Sequence, residues 1–78
     1  MSTLDDLAEA RRRIRDRIAR DRPAAVAGPP AFWARLIALP EPLTAAALEA
    51  LADVGELRRQ PLGTDLFYIA DPPHAPQH

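Results

Sequence analysis

The spacing of apolar residues changes at Gly55, and that change limits the fold more than any other feature of the chain. Upstream, Leu43, Ala47, Leu51 and Val54 recur at helical intervals, with Leu48 at the edge of their stripe. Downstream, Glu56-Leu57-Arg58-Arg59-Gln60 and Leu66-Phe67-Tyr68-Ile69-Ala70 are short, bounded segments suited to strands. A glycine between the two regimes fits a helix end, where the residue just beyond often takes a left-handed backbone. Pro61-Leu62-Gly63-Thr64-Asp65 has the length and composition of a hairpin loop. The last third of the ordered chain is therefore expected to fold back over helices as a pair of strands.

Proline and the terminal hydroxyls divide the rest. Ser2 and Thr3, followed by Asp5 and Asp6, read as a helix start, predicting a first helix over residues 4–20. Pro23 and the Gly28-Pro29-Pro30 cluster end it and are expected to form a linker. Pro30 suits the first turn of a second helix over 31–39, because a first-turn N–H needs no helical partner. Pro40-Glu41-Pro42 reads as a rigid turn, and a third helix is expected over 43–54. Residues 71–78 carry three prolines and no periodicity, which predicts a disordered tail. The expected class is mainly α with a C-terminal β-hairpin: one domain over residues 1–70 in the order αααββ.

A chain of 78 residues has room for one domain. Such a chain buries only about 60% of the surface its unfolded form exposes, so its core is thin. It has no cysteine, so neither a disulfide nor a thiolate metal site can support that core. A hydrophobic share of 47% and a charged share of 27% are those of a globular rather than a disordered protein. The net charge of −1 gives no overall field toward nucleic acid or anionic lipid. No apolar run reaches a membrane span and the N-terminal residues are acidic, so a cytoplasmic, soluble protein is expected. All ten basic residues are arginine, which, with frequent alanine and proline, reads as genomic compositional bias.

The stretch Leu48-x-x-Leu51-x-x-x-Gly55-x-Leu57-x-Arg59 resembles the end of the recognition helix and the start of the wing in the winged helix-turn-helix superfamily. The similarity is to bacterial repressors such as the antibiotic-resistance and arsenical-resistance regulator families, and it covers residues 31–70. It implies a transcriptional regulator whose third helix enters the major groove of duplex DNA while the wing touches phosphate or the minor groove. It also implies a homodimer formed through the first helix.

The residues of the third helix disagree with that implication. Its outer face carries Ala45, Ala46, Glu49, Ala52 and Asp53, and Glu41 to Glu56 contains four acids and no base. Neutralised phosphates supply most nucleic-acid affinity, so a helix approaching a polyanion should carry cations. Seven arginines lie instead between Arg11 and Arg22. Four-residue spacings pair Glu9 with Arg13, Asp16 with Arg20, Arg12 with Asp16 and Arg17 with Asp21. Arg11, Arg15 and Arg22 fall on one stripe that overlaps the apolar face of Leu4, Leu7, Ile14 and Ile18. Their guanidinium groups either lie over the core rim in water or meet an acidic partner, the third helix being one candidate. Arg11, Arg15, Arg22, Arg58 and Arg59 are the candidate nucleic-acid or partner-binding residues. The apolar spacing of the first helix resembles a short coiled-coil seam, and packing onto the second helix explains it equally well.

Two functions follow. The first is a small winged-helix regulator that binds nucleic acid. The alternative is a protein-interaction module (an adaptor, subunit or small inhibitor) that meets a basic partner surface through Ala45, Glu49 and Asp53. In that alternative Phe32 and Trp33 of the apolar second helix serve as docking anchors, although such a helix is also ordinary core. Of Phe67 and Tyr68, on opposite faces of their strand, only one should be buried. No enzyme is expected. His74 and His78 lie in the tail, the three glycines form no phosphate loop, and the hydroxyls lack an activating histidine. Neither a catalytic residue, a metal nor a cofactor is predicted.

Overall fold

A computed structural model describes residues 3–22 and 24–70. The expected Ser2 cap and the expected tail over 71–78 lie outside the described residues. The chain forms α1 (Thr3–Asp21), β1 (Val26–Gly28), α2 (Pro30–Ile37), α3 (Glu41–Asp53), β2 (Arg58–Leu62) and β3 (Asp65–Ala70). Three helices and a C-terminal hairpin appear in the expected order. The sheet has a third strand that the expected linker hid.

That strand, β1, pairs antiparallel with β3, matching Val26 to Ala70, Ala27 to Ile69 and Gly28 to Tyr68. The sheet order is β1-β3-β2, so β3 is central. A three-residue Val-Ala-Gly segment has no strand signal of its own. It is extended because β3 offers a free edge and because Val26 and Gly28 are buried against the helices. Pro29 follows at once, and Pro30 opens α2. Gly28 has a steric role here. A Cβ at this position would sit 2.2 Å from Cδ2 and 2.9 Å from Cβ of Phe32, so the strand can approach α2 only without a side chain.

The β2–β3 hairpin is tighter than the five-residue loop expected. Leu62 pairs with Asp65, leaving Gly63 and Thr64 as the connection. Gly63 has φ 63° and Thr64 is not left-handed, the pattern of a type II′ turn that matches strand twist. Pro61 consequently lies within β2, where an edge position tolerates its missing N–H.

α3 begins at Glu41, so Pro42 belongs to its first turn rather than to a separate rigid turn. Its C-terminus closes as the Gly55 reading requires. Gly55 has φ 83°, its N–H reaches the Ala52 carbonyl at 3.1 Å, and the Glu56 N–H reaches the Leu51 carbonyl at 2.9 Å. This pair of bonds is the Schellman closure. α2 ends two residues earlier than expected, in the same backbone form but without the glycine: Ala38 has φ 59°.

The core is built from Ala10 and Ile14 of α1, Val26, Trp33 and Ile37, and Ala47, Leu48 and Leu51 of α3, closed by Leu57, Tyr68 and Ala70. α1 packs mainly on α3 and less on α2. Its buried stripe takes Ala10 with Ile14, while Leu4 is 75% exposed. On α3 the stripe is rotated from the expected one. Leu48 and Thr44 are fully buried while Val54 is 67% exposed. Thr44 is accommodated because its hydroxyl donates to the Pro40 carbonyl at 2.9 Å, leaving no unpaired buried oxygen.

The two left-handed positions make opposite predictions. Gly55→Ala should lower unfolding free energy by about 1 kcal/mol through backbone strain alone, since a Cβ there meets nothing within 4 Å. Ala38→Gly should raise it by about 0.5 kcal/mol, the relieved strain exceeding the added chain entropy. Urea denaturation followed by the emission of Trp33 measures both, and a loss on Ala38→Gly would contradict the assignment.

Candidate functional site

Among the described residues the charged side chains form three clusters, each with a tie between elements. The first lies where the hairpin crosses α3. Arg59 and Tyr68 are directly opposite on β2 and β3, so their side chains leave the same face of the sheet. Arg59 donates through Nε to Glu49 Oε2 at 3.1 Å and through Nη2 to Glu49 Oε1 at 2.9 Å. The same Nη2 reaches Asp53 Oδ1 at 2.5 Å. The Tyr68 hydroxyl donates to Glu49 Oε2. One carboxylate of α3 thus takes a donor from each strand of the β2–β3 hairpin.

The electrostatics follow from that geometry. Arg59, and then Tyr68, hold the Glu49 carboxyl below the usual carboxylate range. Burial, reinforced by the neighbouring Glu49 carboxylate, pushes the Tyr68 phenol up to about 12. The guanidinium of Arg59 is held more firmly protonated by Glu49 and Asp53.

The second cluster joins α1 to the turn after α3. Arg15 donates through Nε and Nη2 to the two carboxylate oxygens of Glu56, at 3.0 and 2.6 Å. Arg15 draws the Glu56 carboxyl below its ordinary value, with a smaller pull from Arg11. Both side chains of the pair are about half exposed, so it contributes no more than about 1 kcal/mol.

The third cluster covers the other side of α1. Glu9 accepts from Arg12 at 2.5 Å and from Arg13 at 2.8 Å, which hold its carboxyl below the usual range. Arg12 also bridges to Asp16 at 3.1 Å, and Arg17 reaches Asp21 at 3.3 Å. Arg13 does more, donating through Nη1 to the Ile37 carbonyl at 3.0 Å. That carbonyl is one of the last of α2, so a cation at the negative end of α2 satisfies an otherwise unpartnered acceptor. Arg20, expected to pair with Asp16, makes no ion pair with any described residue. These arginines, with Leu36 and Ile37 of α2, line an open cleft of about 280 Å³.

The expected site residues are therefore redistributed. Arg15 meets an acid, though it is Glu56 just beyond α3 rather than the helix face itself. Arg59 is engaged by Glu49 and Asp53. Arg11 lies near Glu56, Arg22 lines a groove with Arg15 and Ile18, and Arg58 is exposed on β2. The expected docking pair separates. Phe32 is 39% exposed, whereas Trp33 is fully buried and cannot anchor a partner. Its indole N–H donates to the Tyr68 carbonyl at 3.1 Å, and Phe32 packs edge-on against it with centroids 6.2 Å apart. Ala45 is half-buried, and Tyr68 is buried where Phe67 is only partly so. Sequence spacing did not indicate Arg13 as a cap for α2, because its acceptor lies 24 residues away.

Among the described residues no group of three or more histidine, cysteine or acidic side chains is placed to hold a metal ion, and no helix is long and apolar enough to cross a membrane. Comparison with protein-family models, curated proteins and solved structures finds no match to this chain.

The chain contains a single tyrosine, so its ionisation can be followed directly by ultraviolet absorbance. Because the folded phenol sits at about 12 against an ordinary value of 10, its contribution to stability is complete below pH 10. Between those values the unfolded chain releases the proton first, so stability falls as pH rises through that window. The carboxylates of Glu49 and Glu56 have the opposite sign. Lowered on folding, they stabilise above the usual carboxylate range, and that contribution is lost as pH falls through their folded values. The native titration midpoint should drop toward 10 in urea, and Tyr68→Phe should remove the alkaline loss of stability at a cost of about 1 kcal/mol. A native midpoint at 10 would show that the phenol is neither buried nor held by Glu49.

Proposed function

We propose that this protein is a cytoplasmic, non-enzymatic, winged-helix-like module that acts by contact with another protein. The order α1-β1-α2-α3-β2-β3, with the hairpin folded against α3, supports the winged-helix part of the proposal. In such an arrangement α3 is the recognition helix and the hairpin is the wing. One observation carries the choice of protein over DNA. Arg59, the wing cation nearest α3, is folded back onto Glu49 and Asp53, so the outer surface of α3 presents acids and alanines. A duplex approaching that surface would meet carboxylates first, and freeing Arg59 would leave two of them unpaired.

A second function, a nucleic-acid-binding transcriptional regulator, is favoured by Arg20 and Arg22, which make no ion pair with a described residue. The two are separated by salt. Each neutralised phosphate releases counterions, so a DNA-binding form loses affinity steeply between low and physiological salt. Fluorescence anisotropy with a labelled random-sequence duplex at both salt concentrations should show no salt-sensitive binding by this protein. Isolation of the tagged protein from nuclease-treated native lysate should recover a stoichiometric protein partner. Tight duplex binding that collapses with added salt, or recovery of nuclease-sensitive material alone, would turn the assignment to the regulator.

A further inference from the structure

The cleft between α1 and α2 gathers four arginines over an apolar floor, where the groove on the other side of α1 holds two, Arg15 and Arg22. Arg12, Arg13, Arg17 and Arg20 line the cleft, with Asp16 as the single lining acid. Its floor is apolar, formed by Leu36 and Ile37 near the end of α2. Ile37 is buried, while Leu36 is partly exposed and packed against the core cluster. The lining arginines are held in place by Glu9, Asp16, Asp21 and the Ile37 carbonyl, except Arg20, which no described residue pairs.

We propose that this cleft is the contact surface of the protein, and that its occupant is an acidic protein segment which inserts an aliphatic side chain over Leu36 while its carboxylates meet Arg20 and Arg17. The proposal rests on the protein-contact function argued above and supplies its surface and partner chemistry. Charge complementarity selects the acid. Guanidinium groups fork onto carboxylates bidentately, and their methylene stems extend an apolar wall beside Leu36. The apolar floor selects a peptide over a nucleic acid. A phosphate backbone gains nothing from Leu36 and Ile37, and an unbroken polyanion cannot avoid Asp16 and the neighbouring Glu9 and Asp21. A peptide with spaced carboxylates can pass those acids and place its own charges on the arginines. Because Arg20 has no internal partner to lose, a carboxylate there adds an ion pair without breaking one.

A fluorescein-labelled peptide of alternating glutamate and leucine serves as the probe, titrated into the full chain and followed by anisotropy. Binding is expected, and Arg20→Glu should weaken it about tenfold, while Arg22→Glu, on the other side of α1, should leave it within about twofold. Matched peptides carrying glutamine for glutamate, or alanine for leucine, should each bind at least about tenfold more weakly. Circular dichroism of Arg20→Glu should match the parent, since that side chain holds no other element. Peptide binding that Arg20→Glu does not weaken would overturn the cleft and leave protein contact elsewhere standing. Failure of the peptide to bind would overturn an acidic segment as the occupant. Binding of the labelled duplex that is lost in Arg20→Glu would overturn both the cleft's assignment and the protein-contact function.

Discussion

Tyr68 joins the three parts of this domain through three different groups. Its backbone sits in the middle of the central strand, opposite Gly28 on one side and Arg59 on the other. Its carbonyl accepts the indole N–H of the buried Trp33, fixing α2 to the sheet. Its hydroxyl donates to Glu49, fixing α3. A carbonyl in a central strand ordinarily has only strand partners, and a buried indole without an acceptor would carry a desolvation cost of about 1–3 kcal/mol. The Trp33–Tyr68 bond meets the needs of both groups at once. Because a chain of this size has few core residues, the placement of one aromatic decides where the hairpin rests and which α3 side chains lie beneath it.

The position of the hairpin then governs the fate of the charge. Once Tyr68 lies over α3, the side chain opposite it on β2 must reach the same helix, and that side chain is Arg59. Glu49 and Asp53 of α3 and Arg59 of the hairpin thus neutralise one another within the domain. Arg15 and Glu56 do the same just beyond the C-terminus of α3, and Arg13 donates to a backbone carbonyl of α2. Arginine suits these links better than lysine would. Its planar fork meets both oxygens of Glu49 or Glu56 from a partly exposed position with little further ordering. In a domain without disulfides, polar ties of this kind complement a thin core. Arg20 and Arg22 stand outside these ties, with no ion pair to a described residue.

Much of the fold was legible in the residues, and its limits have physical causes. Gly55 marks the helix end because a left-handed residue is needed there, and the chain obeys. Ala38 performs a similar turn without the glycine, so the end of α2 carries no local signal and falls two residues before the expected one. β1 was invisible because three residues of Val-Ala-Gly become a strand only through pairing with β3 and a side-chain-free approach to Phe32. Helical projection put Leu48 at the edge and Val54 inside. The real stripe is rotated toward Thr44, whose hydroxyl looks unsuited to a core until its bond to Pro40 is seen. Phe32 and Trp33, adjacent on α2, could not be told apart by spacing. Only the acceptor on Tyr68 decides which ring turns inward.

The candidate site was legible as charge but not as availability. Spacing within α1 located the Glu9–Arg13, Arg12–Asp16 and Arg17–Asp21 pairs, because neighbours on one helix are fixed by its pitch. Arg20 does not join Asp16, which Arg12 bridges at 3.1 Å. Links across elements, such as Arg59 to Glu49 or Arg15 to Glu56, depend on how helices and hairpin pack, which no local spacing encodes. The distinction matters for function. Counting arginines would place the binding capacity of this chain along the whole of α1 and its hairpin. The guanidinium groups divide by their acceptors: Arg12, Arg13, Arg15, Arg17 and Arg59 are engaged within the domain, whereas Arg11, Arg20, Arg22 and Arg35 make no ion pair with a described residue.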